Sequence, residues 1–211
     1  MEMLTLTAVI CTYNRCESLR DTLESLKRQA FGPDVTMEIV VVDNNSRDRT
    51  AEVVAEAALS SPWPIRYTLE PRQGIAHARN HGLAAGNGQY LAFIDDDAMA
   101  EPNWVAALAC AFEETGADLL GGKILPLWLA PRPQWLSDDL LGPVMALDFG
   151  SRRKRCTTQT FLTTNCALRV ASLDRFGRFD TTLGRRGERW VGGEDLELCQ
   201  RWLREGAHVV Y

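Results

Sequence analysis

Long apolar runs are absent from this chain of 211 residues. No stretch approaches the roughly 18 consecutive apolar residues of a membrane-spanning helix, so a soluble chain is expected. An excess of basic charge is also lacking: 23 Lys and Arg stand against 28 Asp and Glu, a net charge of −5. Bulk electrostatics would not draw such a chain to nucleic acid or to an anionic membrane. A phosphate-bearing ligand would have to be held by a local site, with a cation as its natural complement. The six cysteines form no C-x-x-C pair and no cluster with the histidines, and a chain of this size can build a core without a disulfide framework. A reducing compartment is expected, with a Cys156–Cys166 bridge as the alternative; Cys11 and Cys199 fall in runs that read as buried strand and helix. Met1 to Cys11 has no basic start and alternates apolar residues with Thr, so it does not read as a signal peptide. After the first apolar run the sequence is Thr12-Tyr13-Asn14-Arg15-Cys16-Glu17. That excludes the G-x-G-x-x-G turn of a nicotinamide dinucleotide site, and the glycine-rich basic loop of a nucleotidyltransferase is absent as well. There is no internal repeat or low-complexity tract.

What is present is a regular alternation. Leu4 to Cys11, Glu38 to Val42, Ile65 to Leu69 and Tyr90 to Ile94 are short β-branched or apolar runs that read as strands. Between them lie helical patterns at Glu17 to Ala30, Thr50 to Leu59 and Ile75 to Ala85, with a further one at Pro102 to Thr115. The first places Leu19, Leu23, Leu26 and Ala30 on one stripe. This alternation, with Glu38 to Val42 nearly all apolar as in a buried parallel strand, predicts an α/β fold with a mostly parallel sheet covered on both faces. After about Leu120 the rhythm fails. Residues 121–150 carry four prolines and two tryptophans, as in a loop-rich insert that covers a site. A strand is expected at Thr160 to Leu168 and a helix at Glu194 to Arg204. His208 to Tyr211 resembles the beginning of another strand, so the fold is expected to be cut short there.

Ligands of open α/β sheets bind beyond the carboxyl ends of the strands. Three polar clusters fall at such ends: Thr12-Tyr13-Asn14-Arg15, Asp43-Asn44-Asn45-Ser46 and Asp95-Asp96-Asp97. Three adjacent carboxylates repel one another, and a divalent cation held by one or two of them plus phosphate oxygens relieves the repulsion. The plainer reading is a solvated acidic turn. A further cluster is Trp190-Val191-Gly192-Gly193-Glu194-Asp195, where glycines precede a helix whose first turn is acidic. These acids either only compensate the helix dipole, or one of them, kept ionised by it, accepts a proton from a hydroxyl group.

Taken together these segments resemble the family 2 glycosyltransferases of the GT-A fold. The matching pieces are Val9 to Arg15, Glu38 to Asp48, Gly74 to Asn80, Ala92 to Asp97 and Gly192 to Asp195, in the family's order and over nearly the whole chain. The resemblance implies an inverting enzyme that moves a sugar from a nucleoside-diphosphate sugar, with UDP the commonest base, to a hydroxyl of a glycan, polysaccharide or lipid-linked acceptor. It implies that Thr12, Tyr13, Asn14, Arg15 and Asn45 line the nucleotide-sugar site, with Asp43 reading the base edge. Arg79 would lie near the nucleotide, its alternative being a surface helix arginine. Asp95 and Asp97 would form the D-x-D motif that holds ribose and Mn²⁺ or Mg²⁺, with Asp96 beside them, and Asp195 would be the catalytic base, with Glu194 as the alternative. Residues 1–120 would then form the nucleotide-sugar half and 121–211 the acceptor half of one domain.

Two features depart from the pattern. Many relatives carry a metal-binding histidine after the final helix; His208 lies too early for that, and His77 and His81 read as surface residues, so the metal site is expected to be incomplete. The insert carrying Trp128 and Trp135 is the expected acceptor region, where these rings would stack on a sugar or cover a small apolar cluster. The rival reading is a non-catalytic nucleotide- or carbohydrate-binding module on the same scaffold, which has little need of Glu194 and Asp195. A cytoplasmic protein is expected, with peripheral membrane contact supplied by further C-terminal residues or a partner.

Overall fold

The computed structural model describes residues 3–142, 146–158, 161–185 and 192–211. The elements run β1 (Leu4–Thr12), α1 (Cys16–Lys27), β2 (Val35–Asp43), α2 (Thr50–Ser60), β3 (Ile65–Leu69), α3 (Ile75–Ala85), β4 (Tyr90–Phe93), α4 (Trp104–Thr115) and β5 (Leu119–Gly121). After the insert come β6 (Cys166–Arg169), α5 (Leu173–Phe176), α6 (Glu194–Arg204) and β7 (Val209–Val210). The strands form one seven-stranded sheet in the order β3-β2-β1-β4-β6-β5-β7. Strands β3, β2, β1 and β4 are mutually parallel, whereas β6 runs antiparallel to both β4 and β5. The sheet is therefore mixed, a refinement of the mostly parallel expectation, and it passes through both the alternating half and the irregular half of the chain.

Residues 39–42 of β2 are apolar throughout because both faces of the sheet are covered there. Successive side chains of a strand point to opposite faces. Leu6, Ala8 and Ile10 of β1 and Met37, Ile39 and Val41 of β2 pack with Leu19, Leu23 and Leu26 of α1 and with residues of α2 and α4. Val9, Val40 and Val42 face the other way, onto Ala78 and Leu83 of α3 and Leu198 and Trp202 of α6. Helix α3 sits close against the sheet because Gly82 has no side chain: a Cβ there would lie 2.4 Å from Val9 Cγ1. Helix α4 ends where Gly116 adopts φ 65° and its N–H caps the Phe112 carbonyl, a left-handed stop that glycine takes at little cost.

The strand expected at Thr160 to Leu168 is shorter. It begins at Cys166, after a single 3-10 turn over Thr163–Asn165; residues 159–160 lie outside the described residues. The reason is local polar competition. Asn165 accepts a hydrogen bond from Trp104 Nε1 (2.9 Å) and donates from Nδ2 to the Lys123 carbonyl (2.9 Å), while its N–H bonds back to Leu162. The insert contains a 3-10 turn at Asp138–Leu140, and its neck is closed by a bridge between Ile124 and Leu147. All six cysteines are free thiols, so Cys156 and Cys166 are not bridged; Cys11 is half-buried and Cys199 is buried.

Candidate active site at the strand ends

Strands β2, β1 and β4 are adjacent and parallel, so their carboxyl ends share one edge, with Thr12 directly opposite Asp43. The loops beyond them are laced together. Asn14 donates its N–H to Ser46 Oγ (2.9 Å) and its Oδ1 accepts from the Arg47 N–H (2.7 Å). Asn14 and Asn45 both have positive φ, 55° and 69°, a conformation that asparagine tolerates better than most residues. Tyr13 stands exposed beside them. Asp43 is buried: Oδ2 accepts from the Tyr67 hydroxyl (2.7 Å) and Oδ1 from the Ser46 N–H (2.7 Å). Burial and this bond push the Tyr67 hydroxyl up to about 12. The neighbouring Asn44 donates to the carbonyls of Glu70 and Arg72 and accepts from the Gly74 N–H, fixing the approach to α3.

The three consecutive aspartates have three different environments. Asp96 is buried and accepts a hydrogen bond from the Thr12 hydroxyl (2.7 Å), with Arg15 Nη1 3.6 Å away. Burial pushes its pKa up to about 6, against the pull of Thr12 and Arg15. Asp97 is exposed and forms an ion pair with Arg15. Asp95 is half-buried and accepts from the Thr164 hydroxyl. A solvated turn would have exposed all three, so that reading does not describe Asp96.

The two acids that start α6 have different environments. Glu194 is buried in an ion pair with Arg79 of α3, which is itself buried under Phe179 rather than lying on the surface. Two buried charges are tolerable because each has the other. Asp195 is half-buried; Oδ1 accepts from the Leu196 N–H (2.8 Å) and Oδ2 lies 3.5 Å from the Thr163 nitrogen. Burial raises its pKa above the ordinary carboxylate value, opposed by Arg79, so desolvation outweighs the helix terminus. Trp190 and Val191 of this motif lie outside the described residues.

The two carboxylate clusters meet through one dipeptide. Thr163 faces Asp195 while Thr164 holds Asp95. Sequence patterning passed over both threonines, absorbing them into a strand; the polar Thr-Thr-Asn in the middle of that run was the available signal. His77 and His81 are half-buried rather than surface residues, and His81 bonds Thr68 (2.7 Å) and the buried Glu70 (3.2 Å). The backbone of His208 is tied to Asp118, whose Oδ2 accepts its N–H at 2.7 Å. Trp128 and Trp135 are exposed, and neither joins an apolar core cluster among the described residues.

The chain is 28% identical over 207 residues to a glucosyl-dolichyl phosphate glucuronosyltransferase of Haloferax volcanii, covering 96% of this chain and 65% of that one. It is 29% identical over 191 residues to the succinoglycan biosynthesis protein ExoM of Rhizobium meliloti, covering 90% and 58%. It thus spans less than two thirds of the length of these curated relatives. Its fold matches that of S. aureus TarS 1-349 in complex with UDP-GlcNAc, with a TM-score of 0.74 at 20% identity over 100% of this chain and 55% of that one. It also matches the mannosyltransferase PcManGT of Pyrobaculum calidifontis in complex with GDP-Man and Mn²⁺, with a TM-score of 0.72 at 20% identity, covering 99% and 55%. The architecture is the GT-A fold. Residues 7–177 match glycosyl transferase family 2, and the chain belongs to that family.

Proposed function

We propose that this chain transfers a sugar, with inversion, from a nucleoside-diphosphate sugar to a hydroxyl of a glycan, polysaccharide or lipid-linked acceptor. The observation that carries the reading is the Thr163–Thr164 link, which brings the strand-end aspartates and the start of α6 to one edge. A binding module would need the first cluster and has no use for the second. The similarity to a glucosyl-dolichyl phosphate glucuronosyltransferase and a succinoglycan biosynthesis protein, and to folds solved with UDP-GlcNAc or GDP-Man, supports the donor and acceptor classes.

In this reading Thr12, Tyr13, Asn14, Arg15, Asp43 and Asn45 form the nucleotide side. Both Asp43 oxygens already have protein partners, but a carboxylate has lone pairs to spare for a base edge. Residues 1–120 supply the donor half and 121–211 the acceptor half. Asp195 is the base: Glu194 is committed to Arg79, whereas Asp195 has only backbone hydrogen-bond partners among the described residues and a raised proton affinity suited to taking a hydroxyl proton. Arg79 acts through Glu194, holding α6 against α3.

The carboxylates of Asp97 and Asp95 suit a hard divalent cation such as Mn²⁺ or Mg²⁺, which uses one or two carboxylates with substrate phosphates and water. Among the described residues no group of three or more His, Cys, Asp or Glu side chains is arranged to hold a metal, so the phosphates would complete its shell. Arg15 now neutralises Asp97 and would have to yield that carboxylate. When bound, the ion would stabilise charge on the departing diphosphate.

The test is calorimetric titration of UDP, GDP and dTDP into wild type and Asp97→Ala, each with and without Mn²⁺. One nucleotide binding tightly, dependent on both metal and Asp97, is the expected result. No binding, or binding indifferent to both, would overturn the donor-site assignment; donor binding without sugar transfer to any acceptor would favour the binding module.

A further inference from the structure

The insert displays apolar side chains that the fold does not use. Leu125, Leu127, Trp128, Leu129, Trp135 and Leu140 are all exposed, Leu129 to 94% and Trp135 to 74%. Isolated exposed leucines are ordinary; six large apolar residues within sixteen positions of one loop are not. The loop is closed at its neck by the Ile124–Leu147 bridge and the Lys123–Asp148 ion pair (2.9 Å).

Directly after the neck comes the exposed run Arg152-Arg153-Lys154-Arg155. It is joined to the neck through Lys154, whose Nζ donates to the Phe149 carbonyl (3.1 Å) and lies over the Phe149 ring. Arg153 pairs with Glu114, while Arg152 and Arg155 make no ion pair among the described residues. Residues 123–155 hold six basic and three acidic side chains, a local charge of +3 in a chain of −5. The charge of this region is thus opposite to that of the rest of the molecule.

We infer that residues 125–140 and the basic run 152–155 together form a docking surface for an anionic lipid bilayer. Leucine and tryptophan side chains enter the headgroup boundary and the arginines and lysine meet acidic headgroups, the two contributions that together hold peripheral proteins on membranes. No helix among the described residues is long and apolar enough to cross a membrane, so the contact would be at the surface. The neck also joins the candidate site: Gly122 donates to the Asn165 carbonyl (3.0 Å), Asn165 donates to that of Lys123, and the adjacent Thr164 holds Asp95. Docking would therefore hold that site at the lipid–water boundary, where an amphiphilic acceptor is presented; only this last clause rests on the proposed transferase activity.

The test is co-sedimentation of the purified chain with vesicles of phosphatidylcholine, with or without phosphatidylglycerol. Wild type should sediment with the anionic vesicles and less so as salt rises. Leu129→Ser combined with Trp135→Ser should abolish binding. Arg152→Gln with Arg155→Gln should weaken binding to anionic vesicles about 30-fold. All four positions are exposed, so thermal melts and nucleotide titrations of these variants should match wild type, separating failure of the surface from failure of the donor site. No sedimentation of wild type, or binding indifferent to both substitution pairs, would overturn the inference. So would self-association through the patch, seen by light scattering as a dimer that Leu129→Ser and Trp135→Ser dissolve.

Discussion

Replacing Asp96 by Asn should stabilise the protein, and only above a definite pH. Asp96 is 7% exposed, and burial raises its pKa from 3.8 to about 6. The folded state therefore binds this proton more tightly than the unfolded chain does. Stability from this group is fully present below about pH 4 and is lost as pH rises through about 6. The difference between the two values corresponds to about 3 kcal/mol at neutral pH. Asparagine leaves an oxygen for the Thr12 hydroxyl and carries no charge to desolvate, and Arg15 keeps Asp97 as its partner. Wild type and Asp96→Asn should thus melt together near pH 4. They should diverge by up to about 3 kcal/mol by pH 7, or about 6–12 °C in Tm for a domain of this size. Circular dichroism melts and urea titrations across that range are the assay. Parallel pH profiles for the two proteins, or a variant less stable at every pH, would show that Thr12 and Arg15 outweigh the cost of burial and would refute the reasoning.

Arg79→Ala leaves Glu194 buried without its partner and should cost about 3–5 kcal/mol in urea unfolding, whereas Arg79→Met with Glu194→Leu should recover most of that loss. Asp195→Asn should lower kcat by about 10²–10⁴ while leaving nucleotide affinity within error, since the residue holds a proton rather than the donor. Because burial raises the pKa of Asp195, wild-type kcat should fall on the acid side as pH drops through that raised value, a limb the variant should lack. Gly82→Ala places a methyl group against Val9 Cγ1 and should cost about 1–3 kcal/mol by thermal melt, pushing α3 away from the sheet.

Where local pattern decides conformation, the reading from sequence reached the structure closely. Ile65–Leu69, Ile75–Ala85 and Glu194–Arg204 have the expected boundaries, because Gly74 and Gly86 bracket α3 and Gly193 with φ 98° starts α6. Boundaries shifted where strand pairing extends past the expected run: β2 begins at Val35 rather than Glu38 because Val35, Thr36 and Met37 still pair with β1. The strand-end clusters were legible for the same reason, since an apolar strand that stops at Thr12, Asp43 or Asp95 marks the edge of a parallel sheet.

What the sequence by itself determined is therefore the strands and helices of the alternating half, the helix at Glu194–Arg204, the stripe of Leu19, Leu23 and Leu26, and the polar clusters at the edge where β1, β2 and β4 end. These follow from period, β-branching and glycine placement, all readable within a few residues; β5 and α5 were missed, and Ala30, expected on the stripe, lies exposed beyond the end of α1. Only the tertiary structure decided that β6 enters antiparallel between β4 and β5, and that the three aspartates differ in burial. It alone paired Arg79 with Glu194, 115 residues away, and Thr164 with Asp95, 69 residues away. No local pattern encodes such partners. They are selected by which charged and polar groups the packed core brings together and deprives of water, where an unpaired charge costs far more than it does in solution.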